Sequence, residues 1–170
     1  MPSTWKSQLE RIMNDLRDRG FVFASGGALG VDLWCLDHLV NNNLSNSGTI
    51  YSAWTDISGF PKKVQPLIDK FQTDNGTVVW GAARNGDPRG KVTRALLNRN
   101  KLLLKNVAGI VALYDSKSRG TIFTIKESAK QWKPIVAFPH QAELPSIGNS
   151  RWHAFMREDA WKGGYKSILG

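Results

Sequence analysis

Two glycine-containing loops each stand between an apolar run and a helical stretch, and this arrangement restricts the fold more than any other feature. The first loop, residues 25–32 (SGGALGVD), follows the apolar run 21–24, and the second, residues 116–121 (SKSRGT), follows the run 109–114. A helix that begins at such a loop presents free backbone N–H groups and the positive end of its dipole. Glycine lets that backbone approach an anion closely. The loops therefore predict strand–loop–helix units with a phosphate-binding edge.

Strand-like and helical segments alternate along the rest of the chain. Apolar runs typical of buried strands lie at 21–24, 49–54, 77–80, 108–113 and 135–138. Helix-favouring stretches lie at 4–19, 30–40, 61–71, 91–105 and 121–132. This alternation is typical of parallel strands joined by right-handed crossovers. It predicts a Rossmann-like α/β fold, with a mostly parallel sheet of about five strands and helices on both faces. We expect this domain over residues 1–139, and over residues 140–170 a C-terminal extension packed on the domain or a partner.

The distribution of charge points to an anionic partner. The chain has a formal net charge of +9, and residues 75–134 hold twelve lysines and arginines against three acidic residues. That stretch contains the second glycine loop. A basic surface of this kind attracts nucleic acid. We therefore expect single-stranded nucleic acid or a nucleotide as the partner, while a solvated surface that only maintains solubility remains the alternative.

Several classes of protein are disfavoured by what the sequence lacks. The single cysteine, Cys35, leaves no internal disulfide and is expected to be a buried structural thiol. No apolar run is long enough to span a bilayer, so we expect a cytoplasmic protein without a membrane partner. The histidines show no metal-ligand spacing, and no nucleophile elbow or carboxylate pair is present. No metal, no cofactor and no catalytic residue is therefore predicted.

The first loop is close to a dinucleotide-binding fingerprint but departs from it. Ser25 stands at the first glycine position, and no acidic residue lies about twenty residues beyond Gly27 to bind a ribose. An NAD-type oxidoreductase is therefore disfavoured, and a tight turn without a ligand remains the alternative for Gly26 and Gly27. If the loop does bind phosphate, a Gly27→Val change is expected to block binding while the fold survives.

The candidate ligand-binding residues come from the two loops and from the helix before the fourth predicted strand. Asp32, in a first helical turn, can complement the helix dipole or orient a loop amide or a sugar hydroxyl. Arg99 and Arg119 carry planar forks that can bind two phosphate oxygens, and we expect both to face one phosphate. The predicted phosphate-binding or ligand-binding residues are Ser25, Gly26, Gly27, Ala28, Gly30, Asp32, Arg99, Asn100, Ser118, Arg119, Gly120 and Thr121.

Aromatic residues in the last part of the chain alternate with cations. Trp152, Trp161 and Tyr165 lie among arginines and lysines. Aromatic faces in such surroundings can stack nucleic-acid bases. The alternative is that they pack the end of the chain onto a core or a partner.

Taken together, these motifs resemble the DprA family of DNA-processing proteins, within the SLOG superfamily of Rossmann-like proteins. Residues 25–32 resemble its Ser-Gly-Gly-Ala-x-Gly-Ile-Asp loop, and residues 99–101 (RNK) resemble its Arg-Asn-Arg motif. Residues 118–121 (SRGT) and 133–136 (KPIV) resemble its later glycine segment and closing strand. The resemblance extends over residues 20–139. It implies a protein of DNA recombination that binds single-stranded DNA or a nucleotide and forms a homodimer.

One departure bears on catalysis. The related LOG phosphoribohydrolases carry a Gly-Gly-x-Gly-Thr-x-x-Glu motif whose glutamate is catalytic. Aligning Gly120 and Thr121 with that motif places Thr124 at the glutamate position, and Glu127 lies one helical turn later. The resemblance therefore favours binding without chemistry. A nucleoside-monophosphate N-glycoside hydrolase and a sensor or sponge for a nucleotide signal remain the alternatives.

Overall fold

The computed structural model describes residues 3–168 and shows a mixed α/β chain. The helices are α1 (Ser3–Asp18), α2 (Val31–Asn41), α3 (Gln65–Thr73), α4 (Arg89–Lys105) and α5 (Arg119–Lys130). The strands are β1 (Phe23–Ser25), β2 (Gly48–Tyr51), β3 (Thr77–Val79), β4 (Ile110–Asp115), β5 (Ile135–His140), β6 (Arg151–Ala154) and β7 (Tyr165–Ile168). All ten predicted segments form, with ends that differ by a few residues, whereas β6 and β7 were not predicted.

The chain forms two compact units that divide between Leu103 and Leu104. The N-terminal unit contains a parallel sheet in the order β1-β2-β3, in which Ser25 lies opposite Ile50 and Ile50 opposite Val78. Helix α2 packs against both α1 and α3. The core of this unit is made of fully buried aliphatic and aromatic side chains, which include Leu36, Leu39, Ile50, Ile68 and Phe71.

Helix α1 forms because its apolar residues recur at helical spacing. Trp5, Leu9, Ile12 and Met13 lie on one face and are all buried. The helix ends at Asp18, and Gly20, two residues later, has a φ of 83°, a left-handed conformation that glycine adopts without strain. The chain is thereby turned directly into β1 and the first glycine loop.

The C-terminal unit contains a four-stranded sheet in the order β4-β5-β7-β6. Strands β4 and β5 are parallel along their whole length, from Ile110 opposite Ile135 to Asp115 opposite His140. Strand β7 pairs antiparallel with both β5 and β6. The core around β4, β5 and α5 includes the fully buried side chains of Tyr114 and Ile125.

The predicted sheet of about five parallel strands is corrected in one respect. The five predicted strands pair only in parallel with one another, but three belong to the first sheet and two to the second. The second sheet also contains β6 and β7, and both pair antiparallel. These two strands escape a search for apolar runs because each is only four residues long and mixes polar with apolar residues.

None of the helices within residues 3–168 has the length and apolarity needed to cross a membrane.

Candidate functional site

The first glycine loop is a strand-to-helix turn whose two ends differ in exposure. Strand β1 ends at Ser25, which is buried together with Gly26 and Gly27, whereas Ala28 and Leu29 are exposed. Gly30 is the N-cap of α2 and has a φ of 93°. The structure therefore brings six predicted residues of this loop into one turn, with its exposed part beside the N-terminus of α2. They are Ser25, Gly26, Gly27, Ala28, Gly30 and Asp32.

Asp32 orients this loop from the first turn of α2. Its Oδ2 atom accepts a hydrogen bond of 3.2 Å from the backbone N–H of Ala28. The same oxygen lies 3.9 Å from Nη1 of Arg99. Burial raises the pKa of Asp32, and the charge of Arg99 and the loop amides oppose that increase. The carboxylate thus binds a loop amide as well as standing at the positive end of the helix.

Arg99 lies inside the N-terminal unit and bonds backbone atoms. Its side chain is 8% exposed. Nη1 donates a hydrogen bond to the carbonyl oxygen of Gly26 and another, of 3.4 Å, to the carbonyl oxygen of Tyr51. The guanidinium therefore braces the glycine loop against the end of β2. Asn100, the next residue of α4, is half-buried.

Gly26 is the residue that allows this approach. A Cβ atom at position 26 would overlap the guanidinium of Arg99 and would lie 2.8 Å from Oδ2 of Asp32. Any side chain here would displace the arginine or the carboxylate. Gly26, Asp32 and Arg99 therefore form one interlocking set, which we call the loop brace.

Gly27 is required by the packing of the core. Its φ is 64°, and a Cβ atom there would lie 2.9 Å from Cγ2 of Ile50 and 3.0 Å from Cε1 of Phe60. The missing side chain points into the core rather than toward a bound anion. The expectation that a valine at position 27 would leave the fold intact is therefore wrong, since valine would be strained and would collide with core atoms.

The second glycine loop, in the C-terminal unit, is held by Asp115. Its Oδ1 atom accepts hydrogen bonds from the N–H of Lys117, at 3.0 Å, and from Oγ of Ser118, at 2.8 Å. Hydrogen bonds from Ser118 and Lys117 lower the pKa of Asp115, so the carboxylate stays ionised. The proton of the Ser118 hydroxyl is therefore donated within the turn, to Asp115.

The residues after Ser118 form the first turn of α5, which is largely exposed to solvent. Arg119 and Gly120 are exposed, and Thr121 is half-buried. Apart from its chain neighbours and the nearby backbone of α5, no atom of the described chain lies within 4 Å of the place where a Cβ of Gly120 would stand. The N–H of Arg119 donates to the carbonyl oxygen of Lys117, at 2.9 Å, so the N–H groups of Gly120 and Thr121 are the donors that this helix N-terminus offers a ligand. This is the more accessible of the two predicted phosphate sites.

The two arginines proposed to share a phosphate belong to different units of the chain. Arg99 is part of the N-terminal unit, and Arg119 is part of the C-terminal unit. Arg119 is exposed, whereas Arg99 is buried. A phosphate shared by both residues stays a prediction.

The hydrolase alternative finds no carboxylate at the expected place. Oγ1 of Thr124 donates a hydrogen bond of 3.0 Å to the carbonyl oxygen of Gly120. Glu127, one turn later, forms an ion pair of 2.6 Å with Lys130. Thr124 cannot transfer a proton as a carboxylate does, and the Glu127 carboxylate is engaged by Lys130.

Helix α4 presents a row of exposed cations on the side opposite Arg99. Arg94, Lys101 and Lys105 are exposed and recur at spacings of seven and four residues, which places them on one face. None of the three forms an ion pair with an acidic residue of the described chain. The helix itself contains no acidic residue. We call this row the α4 basic face.

The aromatic residues predicted as possible stacking platforms are packed within the C-terminal unit. Trp161 is 6% exposed and contacts the rings of Phe138 and Phe155, with ring centroids 6.5 Å and 5.8 Å away. Nε1 of Trp152 donates a hydrogen bond of 2.9 Å to the carbonyl oxygen of Pro145. The packing alternative is therefore the one the structure favours for these two residues.

Cys35 provides a test of how the N-terminal unit is packed. Cys35 is half-buried rather than fully buried, and desolvation of its thiol, with a smaller effect of the Asp32 charge, raises the pKa of Cys35 to about 12. Because only the thiolate reacts, alkylation at pH 8 should be roughly a thousandfold slower in the native protein than in the unfolded chain. Rates of iodoacetamide modification with and without denaturant measure this difference. Similar rates in both conditions would contradict the raised pKa of this thiol.

Comparison with known sequences supplies the family. The sequence model of the DNA recombination-mediator protein A family matches residues 1–158. No curated protein and no solved structure matches the chain. The family match includes both glycine loops, the loop brace and the α4 basic face. This chain therefore belongs to the DNA recombination-mediator protein A family, in agreement with its resemblance to DprA.

Proposed function

We propose that this protein binds single-stranded DNA through phosphate contacts on the α4 basic face and at the N-terminus of α5, without chemical conversion of the DNA. Membership of the DNA recombination-mediator protein A family supports a role in DNA processing or recombination. The single observation that carries the choice of ligand is the α4 basic face. It offers Arg94, Lys101 and Lys105, exposed and without acidic partners in the described chain.

The spacing of these cations suits a polymer better than a free nucleotide. From Arg94 to Lys105 the helix rises by roughly 16 Å, at about 1.5 Å per residue. A row of this length can contact several phosphates of one strand, whereas a mononucleotide can contact only one end of it. The exposed first turn of α5, with Arg119 and Gly120, offers a separate place for one phosphate.

The loop brace has a supporting role in this proposal. Ser25, Gly26 and Gly27 are buried, and Arg99 bonds the loop from inside. The exposed segment at Ala28 and Leu29 and the N-terminus of α2 are the parts of this loop that a ligand can reach. We propose that Arg99 shapes this segment rather than touching the ligand.

A salt titration of DNA binding tests the proposal. Each phosphate neutralised on a single strand contributes a slope of about −0.7 to the logarithm of affinity against the logarithm of salt concentration. Three contacts on α4 and one at the N-terminus of α5 therefore give a slope of about −3, measured by fluorescence anisotropy of a labelled single-stranded oligonucleotide. A flat salt response, or no binding at low salt, would refute the proposal.

The same measurement separates the competing functions. A free nucleotide that binds at one loop would show a much shallower salt slope, which would favour the nucleotide sensor. Release of free base from AMP in the same mixtures would favour the hydrolase. We also propose a cytoplasmic homodimer; light scattering on the same preparations reports the mass.

A further inference from the structure

An exposed tryptophan at the end of α5 occupies a backbone position that usually belongs to glycine. Trp132 has a φ of 56°. Its N–H donates to the carbonyl of Ala129, at 3.0 Å, and the N–H of Lys133 donates to the carbonyl of Ser128, at 3.1 Å. These two bonds define a Schellman motif with Trp132 at the left-handed position. An L-residue with a side chain is disfavoured in that conformation.

The side chain of Trp132 does not compensate for this conformation by packing. The residue is 63% exposed, the largest exposure of any tryptophan in the described chain. Tryptophan is normally largely buried because of its apolar area. Trp132 therefore combines a disfavoured left-handed backbone conformation with a large exposed apolar side chain. Neither feature stabilises the fold.

Trp132 lines an open groove of about 480 Å³ in the C-terminal unit. This volume is in the range of about 300–1,000 Å³ found for small-molecule sites. One wall is α5, with Lys126 and Lys130 one turn apart, and the other is the loop 146–150. That loop supplies hydroxyl and amide groups through Ser146 and Asn149.

The groove is positively charged at its α5 wall. Lys126 is exposed and forms no ion pair with any acidic residue that the structure describes. Lys130 is paired with Glu127, at 2.6 Å, but its side chain is still 71% exposed. An exposed indole, cations and hydrogen-bonding groups that line one groove match the parts of a nucleotide unit. The base stacks on the ring, the phosphate meets a cation, and the base edge meets the polar loop.

We propose that Trp132 is a stacking platform for one base of a bound single strand of DNA, with Lys126 contacting an adjacent phosphate. This inference rests on the proposed function and extends it to a second surface. It also assigns different tasks to different residues: the α4 basic face provides the salt-dependent attraction, and Trp132 provides a contact that salt does not screen.

The test compares Trp132→Gly with Trp132→Phe in the full chain. Glycine relieves the left-handed strain, so the variant should fold and melt at or above the temperature of the wild type. Its affinity for a single-stranded oligonucleotide should fall by about fivefold to a hundredfold, the range for loss of one base stacked on an aromatic ring. Its salt slope should stay that of the wild type, because no cation is removed. Phenylalanine should retain most of the affinity.

Two further variants serve as controls. Phe21→Ala removes an aromatic ring that is 50% exposed in the N-terminal unit, and it should leave the affinity unchanged. Lys126→Ala should reduce the salt slope by about 0.7. Together they separate the loss of a stacking contact from the loss of exposed apolar area and from the loss of charge.

The outcomes distinguish this inference from the proposed function. If the wild type binds DNA and Trp132→Gly binds equally well, the stacking site is wrong and the proposed function stands. If the wild type does not bind, both are wrong. If Trp132→Gly lowers the affinity only by converting a dimer into a monomer, as seen by light scattering, the groove is an interface between two copies and the stacking site is wrong.

Discussion

Replacing Arg99 by alanine is expected to lower the free energy of unfolding by about 2–5 kcal/mol, the largest single-residue effect on stability that we expect. The variant loses the donor that serves the carbonyl oxygens of Gly26 and Tyr51, and both acceptors lie in a buried region. It also removes the only cation within 4 Å of the Asp32 carboxylate in the described chain. Thermal unfolding measures the effect, at about 2–4 °C per kcal/mol for a chain of this size.

A matched control lies on the same helix. Arg94→Ala removes an identical side chain from the exposed face of α4, and it should change the free energy of unfolding by no more than about 0.5 kcal/mol. Arg99→Lys should recover part of the loss, because an ammonium group can reach one carbonyl but cannot reproduce the fork. If Arg99→Ala weakened DNA binding and left the melting temperature unchanged, Arg99 would be a ligand contact after all.

Removing the α4 basic face is expected to produce the largest change in DNA affinity. A variant with alanine at Arg94, Lys101 and Lys105 should reduce the salt slope by about 2, since each lost phosphate contact removes about 0.7. If the variant and the wild type bind equally well at 1 M salt, a slope difference of this size makes the variant bind roughly a hundredfold more weakly than the wild type at 0.1 M salt. The melting temperature should stay close to that of the wild type because the three side chains are exposed.

The control for this variant removes the same charge from residues outside α4. Arg11, Lys62 and Lys63 are exposed, and none forms an ion pair with an acidic residue of the described chain. Alanine at these three positions lowers the net charge by the same three units. If it reduced the affinity and the salt slope as much as the α4 variant does, binding would depend on overall charge and no localised face would exist.

The alternation of strands and helices could be predicted from the sequence because each element has a local cause. The four buried residues of α1 recur at helical spacing, and the runs of β4 and β5 are continuously apolar because both of their faces are covered. The division into two sheets could not be predicted, since hydrogen bonding between strands depends on residues distant in the sequence. Strands β6 and β7 have no apolar run to detect.

The candidate site shows where motif spacing is insufficient. The spacing identified Arg99 but did not indicate whether the guanidinium faces solvent or the loop. Helical periodicity contained that information, because Arg99 follows Val92 and Ala95 by seven and four residues on the partly buried side of α4. Trp132 was missed for a different reason: a helix end followed by a proline predicts a turn, but not that a tryptophan would take the left-handed position.

The bond between Arg99 and Gly26 joins residues that are 73 positions apart in the chain. During synthesis from the N-terminus, the ribosome completes the whole SGGALGVD segment long before it adds the guanidinium that holds it. A nascent or truncated chain that ends before residue 99 contains every residue of the motif in an unsupported turn. Expression fragments designed around this motif should therefore extend through the end of α4, because the shape of the loop depends on an arginine encoded far downstream of it.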